Sequence, residues 1–264
     1  MITFSSSQLS AWIAGLIWPL TRVLGLIAVA PVFGHASTPV RVKLGLGLMV
    51  TLIVAPIVPA VPGVDPFSLR GIVTIGEQFL IGLAMGFAMR VVFAAVEIAG
   101  ELTALTMGLN FATFFDPQSQ GQSSVISQFF MVLFALTFLA IDGHLLLLSA
   151  LAESFATLPI ASLSLDGSVF GQIVEWGGVI FSAGVQLALP MIAALLIATA
   201  ALGILTRAAP QLNIFGVGFP ITLGVGLFVI GLALPYMATP LEQTLQLGLQ
   251  MVRQVAASAV SVAP

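Results

Sequence analysis

The stretch TMGLNFATFFDPQSQGQSSVISQ, residues 106–128, is the most polar break in an otherwise apolar chain. The apolar runs 72–109 and 125–151 flank it. Aromatic rings crowd its start, and Asp116 precedes Pro117, which ends a helix because proline disfavours the α region for the residue before it. Backbone polar groups must be paired in lipid, so this segment lies either outside the bilayer or along a protein-walled, water-filled cavity.

Composition predicts an all-α integral membrane protein. Of its 264 residues, 59% are hydrophobic and 6% are charged, whereas soluble domains carry about 25% charge. The mean hydropathy is +1.17. The absence of cysteine excludes a disulfide and a thiolate metal site, and the net charge of −3 argues against a nucleic-acid surface. The start of the chain lacks a basic region and cleavage site, so we expect the first apolar segment to be retained.

Hydropathy indicates about six apolar segments, at residues 9–32, 44–61, 72–109, 125–151, 173–206 and 219–236. One crossing needs about 20 residues. The third segment would reach roughly 57 Å as one helix, against about 30 Å of hydrocarbon, and it forms either two segments or one long tilted or kinked helix. The fifth segment is also overlong. Tilt alone hardly absorbs such an excess, so we predict that these long segments pack against other subunits and do not face lipid on all sides.

Four charged residues lie within the segment 72–109: Glu77, Arg90, Glu97 and Glu101. Glu97 and Glu101 are four residues apart and share one helical face. Two like charges facing lipid are costly. We therefore predict that this face meets protein or water.

Three further features concern helix packing. Gly82 and Gly86 have the small-xxx-small spacing that lets another helix approach closely. Arg22 lies inside the first segment, and the favoured interpretation is snorkelling or pairing with an acid, with a functional intramembrane charge as the alternative. From Pro240 the sequence becomes amphipathic and predicts a helix over about 240–258 at an interface or partner.

No motif of catalytic chemistry is present. The sequence lacks HExxH, GxSxG, a phosphate-binding loop and a dinucleotide fingerprint, and no two acids are arranged as general acid and base. We therefore expect no enzymatic activity, cofactor or metal. An ion-coupled small-molecule transporter stays open as an alternative, with 72–109 and 173–206 as a weak candidate repeat.

Three motifs resemble one family: GEQFLIGLAMGFAMRVVFAAVEIAGELTALTMGLNFATFFDP (76–117), FLAIDGHLLLLSALAESFATLP (138–159) and LGILTRAAPQLNIFGVGFPITLGVG (202–226). In order, spacing and overall length they are similar to the FliR family of flagellar export-gate subunits and its injectisome relatives in type III secretion. One departure occurs after Phe219-Pro220, where the family often carries lysine and this chain has Ile221-Thr222.

The resemblance implies a structural and gating subunit of the flagellar type III export channel, built of long tilted helical hairpins within a hetero-oligomeric export gate. A single R-type copy would assemble with FliP-like and FliQ-like subunits in the bacterial inner membrane, at the flagellar basal body. FlhA-like and FlhB-like export proteins would lie nearby. Unfolded export substrates would pass through, and membrane lipid would be a further partner. The whole chain, 1–264, is expected to be one helical membrane domain.

The resemblance also implies roles for particular residues. In this picture residues 106–128 form a plug, since an apolar constriction stops ions by dewetting; the alternative is that its phenylalanines only anchor a helix end. The predicted plug and gate comprises Met107, Asn110, Phe111, Phe114, Phe115, Asp116 and Pro117. The residues predicted to pack against other subunits are Glu77, Gly82, Gly86, Arg90, Glu97, Glu101, Arg207, Pro210, Asn213, Phe219 and Pro220.

Overall fold

The computed structural model describes residues 6–59, 65–66, 68–109, 123–160, 167–209 and 218–257. Within these ranges the chain forms eight α-helices and no strand, which confirms the all-α prediction. The helices are α1 (Ser6–Val29), α2 (Val40–Val54), α3 (Leu69–Met107), α4 (Val125–Ala140), α5 (Gly143–Thr157), α6 (Gly167–Gly177), α7 (Val179–Ala208) and α8 (Phe219–Ala257). A 3-10 turn, Ala55–Ile57, continues α2.

In this described part, four helical stretches are long and apolar enough to cross a membrane: Val40–Ile57, Leu69–Met107, Gly171–Ala208 and Phe219–Ala257. The bent pair α4 and α5 makes a fifth if it is counted as one span. The sequence count of about six is therefore approximate.

The overlong segments resolve in different ways. The run 72–109 is one unbroken 39-residue helix, α3, about 58 Å long at the usual rise per residue. The run 173–206 is divided between α6 and α7 at Gly177 and Gly178. The run 72–109 is thus overlong as a single helix, whereas the run 173–206 contains parts of two consecutive helices.

The predicted helix start at Pro240 is wrong, because α8 runs through Pro235 and Pro240 without ending. A proline inside a helix removes one backbone donor and strains one turn. The side chain of Thr244 donates to the Pro240 carbonyl oxygen at 2.7 Å. The expected amphipathic pattern is nevertheless present in the last turns of α8. Its buried side chains are Leu241, Leu245, Leu249 and Val252, and its exposed ones are Glu242, Gln246, Gln250 and Arg253.

The chain divides into two compact units that are interleaved along the sequence. The first unit comprises Met1–Val91, Asp142–Gly177 and Leu245–Pro264. The second comprises Val92–Ile141 and Gly178–Thr244. Helices α3 and α8 each contribute residues to both. The expectation of one helical domain stays a prediction.

In the first unit, glycines bring α1 and α3 into backbone contact. A methyl group added at Gly82 would overlap the carbonyl oxygen of Arg22. One added at Gly86 would lie 2.7 Å from the carbonyl oxygen of Leu26 and 3.1 Å from the amide nitrogen of Ala30. The small-residue face of α3 is therefore occupied by a helix of the same chain.

In the second unit, α3 packs tightly against α4. The ring of Phe93 meets those of Phe134 and Phe138 edge-on, with centroids 4.7 and 5.7 Å apart, an arrangement that aromatic quadrupoles favour. One turn beyond, a methyl group on Gly100 would overlap the backbone of Ser127. Glycine thus lets the two helix backbones approach at the start of α4.

Helices α7 and α8 complete the surroundings of α3 in the second unit. A methyl group on Gly184 of α7 would lie 2.9 Å from the carbonyl oxygen of Ala95, and one on Gly226 of α8 would lie 2.6 Å from the side chain of Met107. Small residues on α7 and α8 therefore face α3, and small residues of α3 itself face α1 and α4. This explains why α3 is the most deeply buried candidate span, at 67% of its apolar window.

These contacts predict different effects for two glycine-to-alanine changes in α3. Gly82→Ala would force a methyl group into the backbone of α1, and overpacking of this kind typically costs about 1–3 kcal/mol. We therefore expect a lower thermal unfolding midpoint in detergent. Gly76→Ala is the matched control, because the space around Gly76 is open and alanine favours helix. Equal midpoints for the two variants would contradict the assigned packing.

Candidate functional site

A buried arginine joins three helices of the first unit. Arg22 on α1 is fully buried. Its Nε donates to Oε1 of Gln78 on α3 at 2.8 Å, and its Nη1 donates to the carbonyl oxygen and hydroxyl of Ser154 on α5 at 2.9 and 3.0 Å. Its Nη2 donates to the carbonyl oxygen of Leu158 at 2.9 Å. The guanidinium carbon lies 4.2 Å from the ring centroid of Phe155. We call these five residues the arginine node.

The node stabilises the charge without an acidic partner in the described part of the chain. Ser154 and Leu158 supply carbonyl oxygens from the C-terminal end of α5, where the helix dipole is negative. A ring face adds cation–π attraction. The interpretation of Arg22 as a snorkelling or acid-paired residue is therefore wrong, and the arginine instead caps a helix. Its partners are 56 to 136 residues away along the chain, so the spacing of residues could not reveal them.

Two carboxylates of α3 bind the start of α4 in the second unit. The Oε1 of Glu101 accepts the backbone N–H of Ser124 at 2.7 Å. The Oε1 of Glu97 accepts the hydroxyl of Ser123 at 2.9 Å, and its backbone oxygen accepts the hydroxyl of Ser127 at 2.9 Å. Ser124 also caps α4, since its hydroxyl oxygen accepts the N–H of Ser127. We call these five residues the carboxylate clasp.

The other end of the predicted plug segment is held where α3 ends. Met107 is fully buried and packs on Gly226 of α8. The Thr222 hydroxyl lies 3.2 Å from the Met107 carbonyl oxygen and 3.0 Å from that of Phe219, so it shares one proton between them. Gly108 has a positive φ of 83°, the usual conformation after a helix end. The described residues on either side of the segment 110–122 are therefore held within the second unit.

The remaining site predictions fall in different environments. Glu77 is half-buried on α3, and Arg90 is exposed on the same helix. Exposed side chains are also found at Arg207, Phe219 and Pro220. The structure thus brings Glu97 and Glu101 together at the start of α4. The five residues just named do not join them in a site. Eight predicted residues lie outside the described residues: Asn110, Phe111, Phe114, Phe115, Asp116, Pro117, Pro210 and Asn213.

The arrangement supports positioning rather than bond making. The polar side chains of the node and the clasp bind helix ends and neighbouring backbone. No group of three or more metal-binding side chains occurs among the residues that the structure describes. Sequence reasoning named the two glutamates, but it missed Gln78 and Ser154. A polar side chain inside an apolar run was the available signal for both.

The fold and these contacts define an α-helical membrane protein with polar contacts at its helix ends. The family model described as bacterial export proteins, family 1, matches residues 13–248. The chain belongs to this family.

Its relatives include proteins named flagellar biosynthetic protein FliR, which confirms the resemblance. The chain is 47% identical to the one from Pectobacterium carotovorum subsp. carotovorum over 236 residues, 89% of this chain and 90% of the relative. It is 44% identical to that of Escherichia coli (strain K12), over 90% and 91% of the two chains. For Bacillus subtilis (strain 168) the identity is 26%, over 89% and 92%. The protein is thus a membrane-embedded subunit of the flagellar export apparatus.

The node predicts that arginine is required at position 22. Lysine carries its donors on one atom and cannot reach Gln78, Ser154 and Leu158 together. Each buried acceptor left unbonded costs about 1–3 kcal/mol, so Arg22→Lys should lower the unfolding midpoint and the yield from membranes. The control is Arg70→Lys, at an exposed arginine of α3, which should match wild type. Wild-type stability of Arg22→Lys would show that the node is dispensable.

Proposed function

We propose that this chain is the R-type structural and gating subunit of the flagellar protein-export channel. It assembles with FliP-like and FliQ-like subunits in the inner membrane, beside FlhA-like and FlhB-like proteins, and passes unfolded flagellar proteins without an enzymatic step. The observation that carries the proposal is the match to FliR relatives over about nine-tenths of both chains. The structure adds two physical arguments.

The first argument is the uncovered apolar surface. The apolar window of α8 is only 17% buried within the chain, and that of the stretch Gly171–Ala208 is 22% buried. Large apolar side chains are exposed along both: Phe181, Leu196, Ile197, Ile204, Leu227, Phe228, Leu232 and Tyr236. Apolar surface of this extent needs lipid or another protein.

The second argument is charge, and it separates lipid from protein. Arg90 is exposed near the middle of α3, in the most buried apolar helix of the candidate spans. A charged side chain in the middle of a bilayer is costly unless it faces protein or water. Arg90 therefore supports a neighbouring subunit or an aqueous channel beside this part of α3, as does the half-buried Glu77.

The gating part of the proposal concerns residues 106–128. Its phenylalanines, Phe111, Phe114 and Phe115, supply bulk and an apolar surface, which would block ions by dewetting the channel. The stretch that follows is rich in glutamine, serine and glycine, a composition suited to a segment that must move aside. Contacts at Met107 and at the carboxylate clasp hold the flanks of this segment.

Assembly can be tested by co-expressing the chain with FliP-like and FliQ-like partners. We expect the three proteins to co-purify, and native mass spectrometry to give a complex with a single copy of this chain. Deleting the chain should abolish motility. A chain that purifies alone and shows saturable, ion-driven uptake of a small solute in liposomes would instead support the transporter alternative.

The plug is tested by replacing Phe111, Phe114 and Phe115 together with alanine. We expect the complex to assemble with unchanged mass but to leak ions, because smaller side chains leave the constriction wet. Leakage can be measured as membrane conductance in cells or in reconstituted bilayers. The control replaces three exposed apolar residues outside this segment, Phe181, Phe228 and Leu232, with alanine. A triple phenylalanine variant as tight as wild type would refute the plug assignment.

A further inference from the structure

The two glutamates of the carboxylate clasp were predicted to bind other subunits, yet the Oε1 atom of each accepts a hydrogen bond inside the chain. Glu101 accepts a backbone N–H of Ser124, the residue that caps α4, and Glu97 accepts the hydroxyl of the residue before it, Ser123. The first N–H groups of a helix lack partners within the helix and carry partial positive charge. Carboxylates at this end are therefore complementary to it in both hydrogen bonding and charge.

The approach of the two helices is built into the sequence between the glutamates. Gly100 lies directly before Glu101, and any larger residue there would overlap the backbone of Ser127. The hydroxyl of Ser127 then donates to the backbone oxygen of Glu97 at 2.9 Å. A single turn of α3 therefore supplies two carboxylates, a carbonyl oxygen and a gap for the α4 backbone.

The charges that surround the clasp are few in the described part of the second unit. Helix α4 contains no charged residue or histidine. Helix α7 carries one charged residue, the exposed Arg207 near its end, and the part of α8 in this unit carries only the exposed Glu242. Among the described residues, neither carboxylate forms an ion pair with a base, and their hydrogen-bond partners are the N–H and O–H donors at the start of α4. The strength of the clasp therefore depends on the negative charge itself, since hydrogen bonds to ionised groups are about twice as strong as neutral ones.

We infer that Glu97 and Glu101 are positioning residues, which hold the start of α4 against α3 and so fix the point at which the chain returns from residues 110–122. Any contribution of these two glutamates to closing the channel against ions rests on the proposed function. Their positioning of the start of α4 does not. Glu101 acts through the N–H of Ser124, and Glu97 acts through Ser123 and Ser127. Their task lies within this chain, and it precedes any contact with another subunit.

The test uses the absence of cysteine from the chain. Cysteines placed at two exposed positions, Leu105→Cys on α3 and Val125→Cys on α4, accept spin labels. Pulsed electron paramagnetic resonance is then measured on the complex, whose partner subunits contain no cysteine. It gives the distance distribution between the two spin labels. We expect a shift and broadening in Glu97→Ala/Glu101→Ala, and a smaller effect in Glu97→Gln/Glu101→Gln, which keeps an acceptor but loses charge. Glu242→Gln, on α8, is the matched neutral change and should leave the distribution as in wild type.

The outcomes separate the positioning role from the proposed function. A shifted distribution with increased ion leakage supports both. A shifted distribution without leakage supports positioning and counts against the plug. If both double variants give the same distance distribution as wild type, the inference is overturned, even if the complex assembles less well. If the alanine double variant does not fold, the single variants Ser123→Ala and Glu101→Gln are measured in its place. A shifted distance distribution in either variant supports the positioning role. An unshifted distribution in both variants overturns the inference.

Discussion

A charged side chain on an apolar helix has no bulk water to bind, and this constraint sets where the helices of this protein end and meet. Arg22 and Glu101 satisfy it in opposite ways. The arginine binds carbonyl oxygens at the C-terminal end of α5, and the glutamate binds an N–H at the start of α4. Helices α4 and α5 are consecutive, so each outer end of this bent pair is bound by a charge of the sign that its dipole favours.

Close contact is what makes such polar bonds possible. Gly82 and Gly86 let the backbone of α1 reach α3 beside Arg22, and Gly100 lets the start of α4 reach the glutamates. Polar bonds and small residues therefore occur together in both units, and they concentrate burial on α3. Because burial is concentrated on α3, helices α7 and α8 keep exposed apolar faces. A chain that binds Arg22, Glu97 and Glu101 internally while leaving whole helix faces exposed is suited to a place within a larger membrane assembly.

Local patterns predicted the helical class and the one-sided end of α8, because each follows from composition or from a 3.6-residue period. They left open whether the run 72–109 forms one helix or two. They failed where the deciding partner is distant or where context overrides a local rule. Arg22 finds Gln78 and Leu158 at separations of 56 and 136 residues, which one sequence cannot disclose. Pro240 did not end α8, although a proline inside a helix removes one backbone hydrogen bond, and the residues that follow it, Leu241, Leu245 and Leu249, are buried.

The contacts at residues 107 and 124 bear on the proposed gating role. A seal that depended only on neighbouring subunits would loosen whenever a passing chain pushed them apart. Here Met107 is held by α8, and Ser124 is held by Glu101, all within the second unit. Under the proposed function, α3 and α4 would keep these contacts while a chain passes, and the residues on either side of 110–122 would stay in place.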